Sequence, residues 1–137
     1  MPAPQIAFIG FGEAGPAIAC GLSEAGVEDI TTFDTLQASD EGRALIIKRA
    51  EVNGTSLRVS HADAVRDRDI IISTVTCSDA VAAARQVAPH LKAGQTYLDV
   101  NSVSPETKKK IGAAIAVSGA TFVEASIMAP IHPNRHA

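Results

Sequence analysis

Three glycines at fixed spacing open the chemistry of this chain. Gly10, Gly12 and Gly15 form G-x-G-x-x-G within IAFIGFGEAGPAIACGL. A short apolar run precedes them and a helical pattern follows, the context in which such a turn receives a dinucleotide. Gly10 permits the tight turn, Gly12 lets the backbone approach a pyrophosphate, and Gly15 lets helix and strand pack closely. Phe11, Glu13 and Ala14 complete the turn, and the free N–H groups of the following helix favour phosphate. Asp34 lies 19 residues beyond Gly15, close to the spacing of about 20 for the acid that takes the adenosine ribose hydroxyls. A carboxylate there repels a 2′-phosphate, so the reading is NAD over NADP. Arg43, Lys48 and Arg49 follow closely in sequence and leave NADP open. The plainer alternatives are a ligand-free strand-to-helix turn and an aspartate that only caps a loop.

The rest of the chain must position these residues. Residues 5–10 read as a buried strand. Ile18, Leu22 and Ala25 form one helical face after it, with Pro16 in the first turn and Gly26 as the stop. DITTFD at 29–34 is a second strand. Ala44, Leu45, Ile46, Ile47 and Val52 suggest a helix ending at Asn53-Gly54, and 57–59 is a short third strand. Ser60 and Asp63 make a capping-box-like start. DIIISTVT at 69–76 is β-branched without alternation, as in a central parallel strand. Ser78 or Asp79 is expected to cap the next helix, whose inward face is Val81, Ala84, Ala88 and Leu91. QTYLDVN at 95–101 is a fifth strand. Ser104-Pro105-Glu106 starts a helix that stops at Gly119, and 120–127 is a sixth strand. Alternating strands and helices predict an α/β Rossmann fold: a doubly wound parallel sheet of six strands, ordered 3-2-1-4-5-6.

In such a sheet ligands meet the carboxyl ends of the strands. Thr74, Val75 and Thr76 after the fourth strand, and Asn101 and Ser102 after the fifth, are therefore expected on the nicotinamide side. Cys77 reads as a small buried thiol and Cys20 as helix packing. Lys108, Lys109 and Lys110 read as a solvated helix face. A net charge of −3, with no basic stripe, argues against nucleic acid or an anionic membrane as partner. Two cysteines without metal-ligand spacing point to a reducing compartment, no disulfide framework and no metal. The glycine-broken N-terminal run is not a signal sequence, and a cytoplasmic location is expected.

With these motifs in place, the chain resembles the N-terminal domain of the β-hydroxyacid dehydrogenases, the family of 3-hydroxyisobutyrate and 6-phosphogluconate dehydrogenases. IAFIGFGEAG, DIIISTVT and LDVNSVSPETKKKIGAAIAVSGATFVEASIM carry the resemblance, which is nearest to a phosphogluconate-dehydrogenase-like branch. It implies hydride transfer between NAD(P) and the hydroxyl-bearing carbon of a small anionic hydroxyacid. It also matches Ser102 to a cofactor contact and puts Ser126, Met128 and Ala129 at the substrate. Glu124 and Ala125 match the family pattern, whereas Met128, Ala129 and Pro130 stand where the family has Ser-Gly-Gly. The family's general acid/base is a lysine of a second, helical domain. The expected division is a dinucleotide-binding domain at 1–127 and a loop at 128–137 leading towards that helical domain, which is absent from the 137 residues. His132, Arg135 and His136 read as a polar tail.

The readings that follow are the cofactor half of a dehydrogenase, with little or no activity by itself, and a stand-alone NAD(P)-binding module that docks on a partner. A relative of pyrroline-carboxylate or deazaflavin-dependent reductases ranks lower, because those lack the NSVSPET and FVEASIM matches. An apolar face around Ile127, Met128 and Ile131 is expected to be covered by a second copy or a partner.

Overall fold

The computed structural model describes residues 4–11 and 14–125. The strands are β1 (Ile6–Ile9), β2 (Thr31–Phe33), β3 (Ser56–Leu57), β4 (Ile70–Ser73), β5 (Thr96–Asp99) and β6 (Thr121–Glu124). The helices are α1 (Ala14–Glu24), α2 (Asp40–Asn53), α3 (His61–Val65), α4 (Ala80–Val87) and α5 (Pro105–Ala116). All six strands are parallel, in the order β3-β2-β1-β4-β5-β6. This is the Rossmann arrangement expected from the sequence.

Both faces of the sheet are covered because successive strand residues point to opposite sides. Ala7 and Ile9 of β1 join Ile71 and Tyr97 in a cluster with Ala84 and Val87 of α4 and Ile111 and Ile115 of α5. Ile6 and Phe8 join Ile72 in a second cluster with Ala19 of α1 and Ile46 of α2. The apolar, non-alternating strands thus supply two cores at once.

Local chemistry sets the element boundaries. The Ser39 hydroxyl accepts the Gly42 N–H at the start of α2, and Gly54 closes it in the left-handed region at φ 66. Ser60 accepts from Asp63 at α3. Ser104 accepts from Thr107 at α5, with Pro105 in first position. Each satisfies an N–H that the helix itself leaves open.

Three expectations are corrected. In α1 the small residues Gly15, Ala17, Ala19 and Gly21 are buried, with Ile18 and Leu22 only partly covered and Ala25 exposed beyond the helix end. The inner line of the helix is made of small residues, and its larger side chains fall to the flanks. In α2, of the five apolar residues only Ile46 is buried, and Leu45, Ile47 and Val52 are exposed. Its neighbours β2 and β3 are only three and two residues long, so a narrow stripe of the helix finds a core. In α4 neither Ser78 nor Asp79 makes a side-chain cap; the Asp79 carboxylate instead accepts from the Thr76 hydroxyl at 2.7 Å. Ala80, Ala83 and Val87 share its inner face with Ala84, while Val81 and Ala88 are half-buried.

The packing of α5 on β6 depends on Gly112. A Cβ there would stand 3.1 Å from Cδ2 of Phe122. Gly112→Leu is expected to destabilise the fold by about 1–3 kcal/mol through overpacking, read as a lower urea midpoint. An unchanged midpoint would mean that α5 can lift off β6 without loss.

Candidate functional site

The strand register builds one edge. Ile9 pairs with Phe33 and with Ser73, Ser73 with Asp99, and Asp99 with Glu124. The next residues are Gly10, Asp34, Thr74, Val100 and Ala125, and the backbone ladder continues into them. Gly10 N–H donates to Phe33 O at 2.9 Å, Thr74 N–H to Ile9 O at 2.8 Å and Ala125 N–H to Asp99 O at 2.9 Å. Sequence-distant candidates are thereby brought together at the carboxyl end of the sheet. The strand order reverses there between β1 and β4, the usual place for a ligand crevice.

The glycine turn is tightly held. Gly10 has φ 84, and a Cβ on it would lie 2.6 Å from both Thr74 O and Val75 Cγ1. The Thr74 hydroxyl donates to Gly10 O at 2.6 Å. A Cβ on Gly15 would meet Phe11 Cδ1 at 2.9 Å and Thr74 Oγ1 at 3.0 Å. Ala14 begins α1 and is half-buried. The Phe11 ring faces the core, edge-on to Phe8 at 5.9 Å, so what Phe11 brings to the edge is its backbone. Gly12 and Glu13 lie outside the described residues, as do Ser126, Met128 and Ala129.

Asp34 closes onto this turn from the end of β2. Its Oδ2 accepts the Phe11 N–H at 2.7 Å and its Oδ1 the Leu36 N–H at 2.8 Å. The Gln37 side chain returns the cap by accepting the Asp34 N–H at 2.8 Å. Asp34 is thus a loop cap, as the plainer reading had it, and also a negative charge fixed beside the glycine turn. Of the three nearby cations, Arg49 donates to Phe11 O at 3.2 Å, while Arg43 and Lys48 are exposed.

At the other half of the edge, Thr76 and Ser102 are exposed, Val75 is half-buried, and Asn101 is buried. The Asn101 side chain donates to Ser73 Oγ at 3.1 Å, and its N–H donates to Asp99 Oδ1 at 2.7 Å. Cys77 is exposed, contrary to the buried thiol expected, and its Sγ donates to Ser102 O at 2.9 Å. It sits in a turn beyond β4, above the packed layer. The lysine run is corrected as well. Lys109 and Lys110 are exposed, but Lys108 is buried, with Nζ 3.2 Å from Oδ1 of a fully buried Asp99. Three consecutive helical positions span too much arc to share one face, a signal the sequence contained.

The edge offers a glycine cradle that a side chain would fill, a fixed carboxylate, and exposed polar groups across the reversal. These fit a dinucleotide lying over β1 with its ribose towards Asp34. Residues 5–129 match the family described as the NAD binding domain of 6-phosphogluconate dehydrogenase. The chain belongs to this family. A solved structure of a conserved hypothetical protein from Sinorhizobium meliloti is 33% identical, with a TM-score of 0.88 over 95% of this chain and 43% of that one. NAD-dependent L-serine dehydrogenase from Pseudomonas aeruginosa is 29% identical over 90% of this chain and 40% of its own length. The Mycobacterium tuberculosis 3-hydroxyisobutyrate dehydrogenase, solved with L-serine, shares the fold at a TM-score of 0.81 and 19% identity, covering 93% of this chain and 42% of that one. The chain spans about two fifths of the length of such relatives. Within this NAD-binding domain, no group of three or more His, Cys, Asp or Glu among the described residues could hold a metal ion. None of the described helices is long and apolar enough to cross a membrane.

Two outcomes follow from this geometry. Gly10→Ala places a Cβ against backbone that cannot turn aside, in a φ region that alanine avoids. NADH binding, read by titration of cofactor fluorescence, should weaken roughly tenfold or more, about 1.4 kcal/mol; wild-type affinity would show that the turn can open. The second concerns His61, whose ring meets Phe33 edge-on at 4.8 Å. Burial lowers its pKa from the ordinary 6.5, the charge of His90 lowers it further, and Asp34 partly opposes both. The unfolded chain therefore binds the proton more readily, and stability falls as pH drops below about 6.5 towards the folded-state value. The urea midpoint should decline between about pH 7.5 and about 5.5, above the range of ordinary carboxylates. His61→Gln should flatten that decline, and an equal slope in both proteins would contradict it.

Proposed function

We propose that this domain binds NAD in preference to NADP and serves as the cofactor half of a cytoplasmic dehydrogenase acting on a small anionic β-hydroxyacid. The observation that carries the cofactor preference is Asp34. Its carboxylate is fixed at the end of β2, held by the Phe11 and Leu36 N–H groups, where a ribose would meet it. Each oxygen keeps lone-pair capacity for a ribose hydroxyl, whereas a 2′-phosphate would bring negative charge against negative charge.

Gly10 and Gly15, with the start of α1, would receive the pyrophosphate, and Gly12, Glu13 and Ala14 complete that turn. Thr74, Val75 and Thr76 would border the nicotinamide from β4, and Asn101 and Ser102 from β5. Bound NAD would accept hydride from the hydroxyl-bearing carbon of the substrate. Asn101 is anchored to Ser73, so its loop is ordered before any ligand arrives, which lowers the cost of binding. The substrate class rests on the family resemblance and on the L-serine named for two relatives, since L-serine is a β-hydroxyacid. Ser126, Met128 and Ala129 are proposed to approach it. Proton transfer is assigned to a lysine of the helical domain that the resemblance implies. A second copy or partner is proposed to cover the apolar segment around Ile127 and Met128.

Titration with NADH and NADPH tests the cofactor reading directly, because the chain has no tryptophan and cofactor emission is read almost without interference. Saturable binding with NADH tighter is expected. Asp34→Ala should weaken NADH roughly tenfold or more, the scale of a lost charge-assisted hydrogen bond, and bring the two affinities together. NADPH binding as well as NADH to the wild-type protein would overturn the preference. Binding of neither by folded protein would overturn the dinucleotide site.

A further inference from the structure

The buried pair of Lys108 and Asp99 lies apart from the glycine turn, and none of the residues assigned to the cofactor explains it. Asp99 is fully buried at the end of β5. Its Oδ1 accepts from the Asn101 N–H at 2.7 Å and from Lys108 Nζ at 3.2 Å, while its Oδ2 is buried without a partner. Lys108 reaches across from α5 and is itself 8% exposed. The same ammonium donates to Asp99 O at 3.2 Å and to Ala125 O at 3.4 Å. One nitrogen therefore joins the last residue of β5, its side chain, and the first residue beyond β6.

An ion pair buried this deeply loses much of its Coulomb gain to desolvation, so net stability is a poor account of it. What it does supply is geometry. The Asp99 carboxylate bends the backbone so that the Asn101 N–H folds back over it. Asn101 then reaches Ser73 at the end of β4, and the neighbouring Ser102 carbonyl is held by Cys77. The β5 loop and the exit of β6 are thus joined through Asp99 and Lys108, while the β4 end is tied separately to β1 by Thr74. The glycine turn and Asp34 are held by a different set of bonds, from Thr74, Phe11 and Leu36.

We propose that Lys108 is a positioning residue for the nicotinamide half of the cofactor: through Asp99 it sets the Asn101–Ser102 loop and the exit of β6. This rests on the placement of nicotinamide at the β5 edge given above. The adenosine half, bound at the glycine turn and Asp34, should not depend on it.

The test compares NADH with ADP-ribose, which carries the adenosine, pyrophosphate and a ribose but no nicotinamide. Affinities are measured for the wild-type chain, Lys108→Met and Lys108→Arg. In the wild-type protein NADH should bind more tightly than ADP-ribose. Lys108→Met should weaken NADH roughly tenfold and leave ADP-ribose within about twofold, with Lys108→Arg recovering most of the loss because it keeps the charge. The polarisation of bound dihydronicotinamide emission should fall in Lys108→Met as the ring loses its fixed seat. If Lys108→Met does not fold, Asp99→Asn/Lys108→Met removes the stranded charge and should show the same split. Equal weakening of both ligands would make Lys108 merely structural and overturn the proposal. Unchanged NADH binding in a folded variant would overturn it, as would equal affinity of the wild-type protein for the two ligands. Failure of the wild-type protein to bind ADP-ribose at all would instead overturn the dinucleotide site beneath it.

Discussion

The missing side chain at Gly10 is the constraint on which the rest of this structure depends. The backbone of β1 leaves the sheet there within 2.6 Å, measured from where a Cβ would stand, of the Thr74 carbonyl. That approach brings β1 and β4 together at their carboxyl ends, and the Thr74 hydroxyl closes it by donating to Gly10 O. A larger residue would push these ends apart, and with them the reversal of strand order that makes a crevice. Gly15 extends the same logic by one helical turn, since its neighbours are again Phe11, Thr74 and Gly10.

Around this contact the two halves of the edge are built by different means. The β1–β2 half is held by backbone donors on a carboxylate: Phe11 and Leu36 both donate to Asp34. That leaves a carboxylate fixed beside the glycine turn and largely covered. The β4–β5 half is held from beneath by the buried Asp99–Lys108 pair and from above by side chains at the ends of β4 and β5. A buried ionic group needs polar neighbours; here Asn101 and the carbonyls of Asp99 and Ala125 supply them for Lys108 Nζ and Asp99 Oδ1, while Asp99 Oδ2 has none.

Much of the fold was legible in the chain because its signals are local. A glycine after an apolar run, a serine immediately before a helix, and a β-branched stretch without alternation each act through nearby backbone atoms. The strand order followed from alternation of strand and helix. The helix faces were less legible. Ala25 and Val52 look apolar in sequence yet are exposed, because Ala25 lies past the end of α1 and α2 buries only a narrow stripe beside a short strand. The habit of its residue type predicts a buried Cys77, but it is exposed in the turn beyond β4.

The sequence by itself determined the architecture, the glycine turn and the acid that faces it, since these rest on spacing along the chain and on what glycine, proline and aspartate do to backbone. The tertiary structure alone decided that Lys108 turns inward while Lys109 and Lys110 stay in solvent. The partner that draws it in, Asp99, is on another element, and the third contact, Ala125, lies just beyond a third. Periodicity shows that three adjacent lysines cannot share a face, but only the packing of α5 against β5 and β6 selects which of them is buried. The physical reason is that a buried charge is placed by its counter-charge, and that pairing is made in space and not along the chain.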